Sequence, residues 1–269
     1  MQSLWGTPRP DDEPLEVTVA RIAAAGFDGV GVRCMERGFV ARAAAALRAH
    51  GLGWQAQCLP RAAGELPPLL DLAAEFGAVN ANVIAYLPPA PPAAHAEVIA
   101  GWMKGAETRG VAMLLETHRA TVTNGVEETA ALLDLLPGLR LTADLSHHVV
   151  ARSLKPPVPA EVAAMLPRVI ARADSLHLRV GTSEQVQVCS AWPAHAAWRD
   201  TFAGWWRAVL RARIAAEQPR DVVALVELGP PPFAITGPDG AEVSDRWAEA
   251  LSLRDLIRQI WREERESIA

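Results

Sequence analysis

Val111–His118 reads VAMLLETH, Leu139–His148 reads LRLTADLSHH, Asp174–Gly181 reads DSLHLRVG and Asp221–Gly229 reads DVVALVELG. Each is a short apolar, strand-like run that ends in polar or charged residues. Charged groups at the ends of such runs are costly to bury unless something compensates them. Outward from these four, strand-like runs at Gln2–Gly6, Gly29–Arg33, Trp54–Leu59, Val79–Ala85, Val111–Thr117, Arg140–Asp144, Ser175–Val180 and Val222–Leu228 alternate with helical stretches. The helices are expected at Pro14–Ala25, Val40–His50, Leu66–Phe76, Ala93–Arg109, Val126–Leu135, Ala160–Ala171, Ala194–Ala216 and Asp245–Glu263. Strict alternation implies right-handed crossovers and a parallel sheet. In 269 residues it predicts one α/β domain over 1–269, a closed (β/α)8 TIM barrel, with an open doubly wound sheet as the alternative.

Punctuation agrees with this plan. Gly26, Gly51, Gly77 and Gly110 each follow a helix and precede a strand, as helix C-caps do. The prolines at 88–92, 156–159 and 230–232 follow strands and read as rigid connectors on the βα side.

Composition narrows the function classes. Half of the residues are hydrophobic and 21% are charged, which excludes a disordered chain. The net charge of −5, without a basic block, argues against a nucleic-acid partner. Cys34, Cys58 and Cys189 form no C-x-x-C pair, and their odd number fits a reducing compartment. The first residues, MQSLWGTPRPDDEP, lack a basic segment followed by an apolar one, and no run of about 18 apolar residues exists. A soluble cytoplasmic protein with no membrane partner is expected. No G-x-G-x-x-G or P-loop sequence supports nucleotide binding. Nothing fixes the oligomeric state, and a homo-oligomer stays open.

The site is read from the strand ends. Glu116, Asp144, His177 and Glu227 fall on the fifth to eighth strands. Neighbouring strands lie about 4.8 Å apart, so residues at one level converge on an ion. Three carboxylates and one imidazole make a hard site suited to one divalent ion: Mn²⁺, Mg²⁺ or Co²⁺, with Zn²⁺ as a further candidate. Without a cation the carboxylates would repel one another. Taken singly, each reads more simply as a helix-capping or arginine-paired carboxylate; taken together they favour a metal. Alternation puts Glu116 and His118 on one face, and likewise His177 and Arg179.

The series E-T-H, D-L-S-H, L-H-L-R-V-G and V-E-L-G resembles the xylose isomerase-like TIM-barrel superfamily, most of all its sugar phosphate isomerase/epimerase and ketose 3-epimerase branch. The resemblance implies that Glu116, Asp144, His177 and Glu227 hold the cation. It implies that His147, in Asp144-Leu145-Ser146-His147, contacts substrate. Arg179 takes the place of a substrate-contacting arginine, although at two residues from His177 it stands closer than in those enzymes. The superfamily also contains dehydratases, other lyases and DNA-repair endonucleases.

The leading expectation is metal-dependent isomerisation or epimerisation of a keto-sugar or related polyol. Proton abstraction beside a polarised carbonyl would give an enediolate, with Glu116 and Glu227 as base and acid and His147 assisting. The alternative is a lyase acting by β-elimination on a keto-sugar, keto-glycoside or cyclic keto-polyol, with His118 or His147 protonating the leaving group. Phosphodiester hydrolysis would need more ligands than the sequence offers, and a non-catalytic sugar-binding barrel is the remaining class. His118, His147, Arg179, Trp5 and Trp192 are the candidate substrate contacts for a small carbohydrate-like molecule. His148 reads as structural. Trp198, Phe202, Trp205, Trp206 and Val209 read as a core stripe at helical spacing. Gln57, Asn80 and Asn82 carry low weight, and Cys34 and Cys58 read as packing.

Overall fold

The computed structural model describes residues 1–8, 13–216 and 221–268. Eight parallel strands close into a barrel in sequence order. They are β1 (Gln2–Ser3), β2 (Gly29–Arg33), β3 (Gly53–Cys58), β4 (Asn80–Val83), β5 (Met113–Glu116), β6 (Leu141–Ala143), β7 (Ala173–Leu178) and β8 (Val223–Val226). Gln2 closes the ring by pairing with Val30 on one side and Val226 on the other. The open-sheet alternative is thereby excluded.

The helices are α1 (Leu15–Ala24), α2 (Arg37–Ala49), α3 (Leu66–Glu75), α4 (Pro92–Thr108), α5 (Val126–Leu135), α6 (Leu145–Ala151), α7 (Ala160–Arg172), α8 (Ala196–Ile214) and α9 (Arg246–Ile268). Helix α6 is the one the sequence reading did not anticipate. It starts where β6 ends, because Asp144 caps it: its Oδ1 accepts from the Ser146 backbone N–H at 3.1 Å and from Ser146 Oγ at 2.5 Å. Most strands are shorter than expected, since only their central residues pair around the ring; the ends peel into loops.

Strand β2 shows how the layers form. Val30 and Val32 are fully buried against the helices, while Gly31 and Arg33 face the barrel mouth. Phe202 and Trp206 of α8 are completely buried, as their helical spacing implied. Truncating either to Ala costs about 3–5 kcal/mol. Gly26 ends the turn after α1 with φ +79°, the left-handed conformation that favours glycine. The three cysteines are free and buried. Among the described residues no helix is long and apolar enough to cross a membrane.

Candidate metal centre and substrate cavity

Register brings the four strand-end residues together in a staggered way. Glu116 of β5 pairs with Thr142, two residues before Asp144. Ala143 pairs with Leu176, so Asp144 and His177 are the next residues up their strands, after a register shift between Leu141 and Thr142. His177 pairs with Leu225, two residues before Glu227. This climb is the shear of a closed barrel: strands tilt, and residues at one height differ in register. The result is a group in which one ligand atom each of Glu116, Asp144, His177 and Glu227 lies within 4.8 Å of the others.

Asp144 is clamped by its surroundings. Besides the two bonds from Ser146 to Oδ1, its Oδ2 accepts from Nη2 of Arg179. The same Nη2 lies 2.9 Å from His147 Nε2 and 3.3 Å from Glu227 Oε2, and Arg179 Nε donates to Ser146 Oγ at 3.2 Å. Burial pushes the Asp144 carboxyl up, but Arg179, His147 and His177 prevail and hold it well below the usual carboxylate range. Glu227, which is also buried, is held down by His177 and Arg179. Glu116 goes the other way. Burial, together with the charges of Glu227 and Asp144, pushes it up to about 8 despite His177 and a hydrogen bond from Asn82. His177 is itself disfavoured as a cation by burial, yet the surrounding carboxylates raise it well above the usual histidine range.

The donor set fits a divalent cation. His177 Nδ1 lies 2.8 Å from Glu227 Oε2 and 3.7 Å from both Glu116 Oε2 and Asp144 Oδ2. Both ring nitrogens of His177 and Glu116 Oε1 are buried with no well-formed hydrogen bond among the described residues. Buried polar atoms left in this state cost about 1–3 kcal/mol each, which a shared ion relieves. Three oxygen donors and one imidazole suit a hard ion. Glu116, His118 and His147 form a second close group that shares Glu116 with the first.

The cluster opens on a cavity of about 190 Å³. Glu116, Glu227, Arg179 and His118 line it together with Trp5, Arg33, Gln57 and Tyr86, the Tyr86 ring meeting that of His118 at 5.5 Å. The His118 ring lies on that of His147, with centroids 3.7 Å apart, and its Nδ1 is 2.6 Å from the Arg119 carbonyl. Donation from Nδ1 to that carbonyl leaves the Nε2 lone pair free. Burial lowers His118 to about 4 and holds His147 well below the usual histidine range, so both rings are neutral near pH 7. Trp5 is 43% exposed on the rim and meets Phe233 edge-on at 5.2 Å. Gly229 makes room for this pair, because a Cβ there would come within 2.5 Å of the Trp5 ring.

Some candidates lie elsewhere. Trp192 does not line the cavity; its ring stacks on His195 at 5.8 Å. His148 Nε2 sits 3.2 Å from both Thr129 Oγ1 and the Thr123 carbonyl, inside the wall behind the site. Asn82 and Gln57 matter more than their low weight suggested. Asn82 donates to Glu116 Oε2 and to Gln57 Oε1, Gln57 donates to Gln55, and Gln55 donates to Asn80 and Ser175. This amide chain lines the barrel interior, and the shared face of Asn80 and Asn82 was its sequence signal. Phe233 and Tyr86 had no comparable signal, since loop contacts place them, and Ser146 lies in the first turn of α6. A larger cavity of about 650 Å³, between Met1, Asp28, Val79 and Trp261, lies at the opposite end of the barrel and touches none of the four cluster residues.

No protein-family model matches the chain, and no curated protein sequence does. Solved structures do. A xylose isomerase-like TIM-barrel protein from Mycobacterium smegmatis, in complex with magnesium, superposes with a TM-score of 0.67 at 15% identity, covering 98% of this chain and 96% of that one. A D-tagatose 3-epimerase-like protein gives 0.62 at 13% identity over 94% and 95%. The probable 3-DHS dehydratase AsbF from Bacillus anthracis gives 0.55 at 14% identity over 91% and 93%. Identities this low establish architecture and leave chemistry to the site. The chain has the xylose isomerase-like (β/α)8 TIM-barrel fold.

Proposed function

We propose that this protein is a divalent-metal-dependent isomerase or epimerase acting on a keto-sugar or related polyol. One observation carries the reading: Glu116 and Glu227 both line the 190 Å³ cavity while sharing a cluster with Asp144 and His177. A hard cation held by these four residues, Mn²⁺, Mg²⁺ or Co²⁺ before Zn²⁺, supplies Lewis-acid polarisation of a carbonyl and its neighbouring hydroxyl. The chain's own groups do the rest. One glutamate takes the proton from the carbon beside the carbonyl, and a glutamate returns it to the same carbon or to its neighbour. Arg179, beside Glu227, and the neutral His147 orient the oxygens of the substrate. Trp5 covers the rim and excludes water.

A second reading is favoured by His118, which lines the cavity directly over His147. As a neutral ring with a free Nε2 lone pair, it would take the proton from the carbon beside the carbonyl and pass it to the β-substituent as that group leaves, making the reaction an elimination. The Bacillus anthracis neighbour described as a probable dehydratase is consistent with this course.

The experiment is turnover of ketose and keto-acid candidates in deuterated water, followed by proton NMR. Deuterium should enter beside the carbonyl, and Glu116→Gln and Glu227→Gln should each slow that exchange by about 10²-fold or more. Full activity in both variants would remove this chemistry. A product with one double bond and one fewer substituent selects the lyase course.

A further inference from the structure

We infer that the substrate carries an anionic group, a phosphate or a carboxylate, at the end remote from the Glu116–Asp144–His177–Glu227 cluster, and that Arg33 binds it. The inference rests on the reading above of a small keto-polyol in this cavity.

The cluster comes from β5 to β8, one half of the barrel. Arg33 ends β2, which β1 separates from β8 and which β3 and β4 separate from β5. It therefore faces the cluster across the mouth. Its direction is set by the strand: Val30 and Val32 are buried in the outer layer, whereas Gly31 and Arg33 both line the cavity. Gly31 keeps the floor beneath Arg33 open, since a Cβ there would come within 2.9 Å of the Leu225 side chain.

What distinguishes Arg33 is that it has no partner among the described residues. Its guanidinium makes no hydrogen bond, ion pair or ring contact among the described residues. The carboxylates of the same cavity already face other cations: Glu227 meets Arg179 and His177, and Glu116 meets His177. Two more guanidiniums without an ion pair among the described residues stand near the rim, Arg61 at 5.5 Å from the Tyr86 ring centroid and Arg119 at 6.0 Å from that of Phe233. A neutral sugar filling the cavity would strip water from Arg33 and give nothing ionic in return. A phosphate or carboxylate restores charge-assisted, two-pronged hydrogen bonds. Placing positive charge at one end of the cavity and the cation cluster at the other also fixes which carbon lies between the glutamates, so Arg33 would set specificity for chain length.

The test uses the full chain loaded with Mn²⁺ and three inert probes: glycerol 3-phosphate, glycerate and glycerol, titrated calorimetrically. At least one anion should bind the parent at least tenfold more tightly than glycerol, and the tighter anion identifies the group. Arg33→Ala should weaken that anion by about 10- to 100-fold and leave glycerol unchanged, the scale of hydrogen bonds to a charged group. Arg33→Lys should retain part of the preference. Because Arg33 is exposed and makes no hydrogen bond or ion pair among the described residues, both variants should fold as the parent does. Equal binding of all three probes by the parent overturns the inference. An anion preference that survives Arg33→Ala places the anion on the metal and also overturns it. The two readings fail separately. Deuterium exchange into a ketose by a parent that binds all three probes equally would sink the anion site and keep the isomerase. An Arg33-dependent anion preference without exchange into any ketose would do the reverse.

Discussion

Asn82 donates its side-chain amide to Oε2 of Glu116, while Oε1 of the same carboxylate is buried with no hydrogen-bond partner. Glu116 is thus oriented by one strand and left with one oxygen to spend on chemistry or on an ion. Groups that orient ligands in this way are worth about 10- to 100-fold in metal affinity or activity. Asn82→Ala should weaken Mn²⁺ binding or lower kcat by that factor, with the fold intact by circular dichroism. Parent-like values for both quantities would show that the bond to Glu116 is incidental.

The cluster itself is tested by metal content. Asp144→Ala and His177→Ala should each reduce bound Mn²⁺ after dialysis. They should also remove the rise in Tm that added Mn²⁺ gives the parent. Saturation at 100 times Kd is worth about 2.7 kcal/mol, easily seen in a melting curve. If both variants hold metal as the parent does, the ion sits elsewhere.

Arg179, a candidate substrate contact, donates to Asp144 and stands beside Glu227. Removing one member of a buried charge network leaves the rest uncompensated, at a cost of about 3–5 kcal/mol. Arg179→Met should therefore destabilise the apo protein by that order, and Mn²⁺ should recover part of the loss. The readout is urea denaturation with and without metal. An unchanged apo midpoint would contradict the network.

His147 lies against both Arg179 and His118 but belongs only to the second close group around Glu116. His147→Asn should leave one ion bound and reduce turnover. Loss of the ion in this variant would make His147 a ligand.

Glu249 of α9 fastens the loop after β7: its Oε1 accepts from the backbone N–H and the hydroxyl of Ser190, each at 2.7 Å. Burial raises its carboxyl pKa above the ordinary value. A raised acid keeps its proton to higher pH in the folded chain than in the unfolded one. Its contribution to stability is therefore full below the unfolded pKa, near 4.3, and is lost as pH rises through the folded pKa. Glu249→Gln keeps an acceptor for both donors and cannot ionise. Its stability should gain on the parent as pH rises from about 4 to 7, measured by urea midpoints across that range. A constant difference would show that Glu249 titrates normally.

The alternation of apolar strand runs with helical runs determined the barrel, because strand–helix repetition leaves little choice but parallel pairing with right-handed crossovers. Strand-end chemistry was equally legible: charged residues closing apolar runs at Glu116, Asp144, His177 and Glu227 had to be compensated by something. What the sequence left open was decided by closure of the barrel. Shear sets Glu116 against Thr142 and lifts Asp144, His177 and Glu227 to meet it, an offset that no local pattern encodes. Helix α6 hid behind what read as a strand end, since a single aspartate both ends β6 and caps the next helix. Contacts between distant loops placed Phe233 beside Trp5 and left Trp192 outside the cavity. Alternation alone turned Arg33 toward the barrel mouth, but only the assembled neighbours show that no counter-charge meets it there among the described residues.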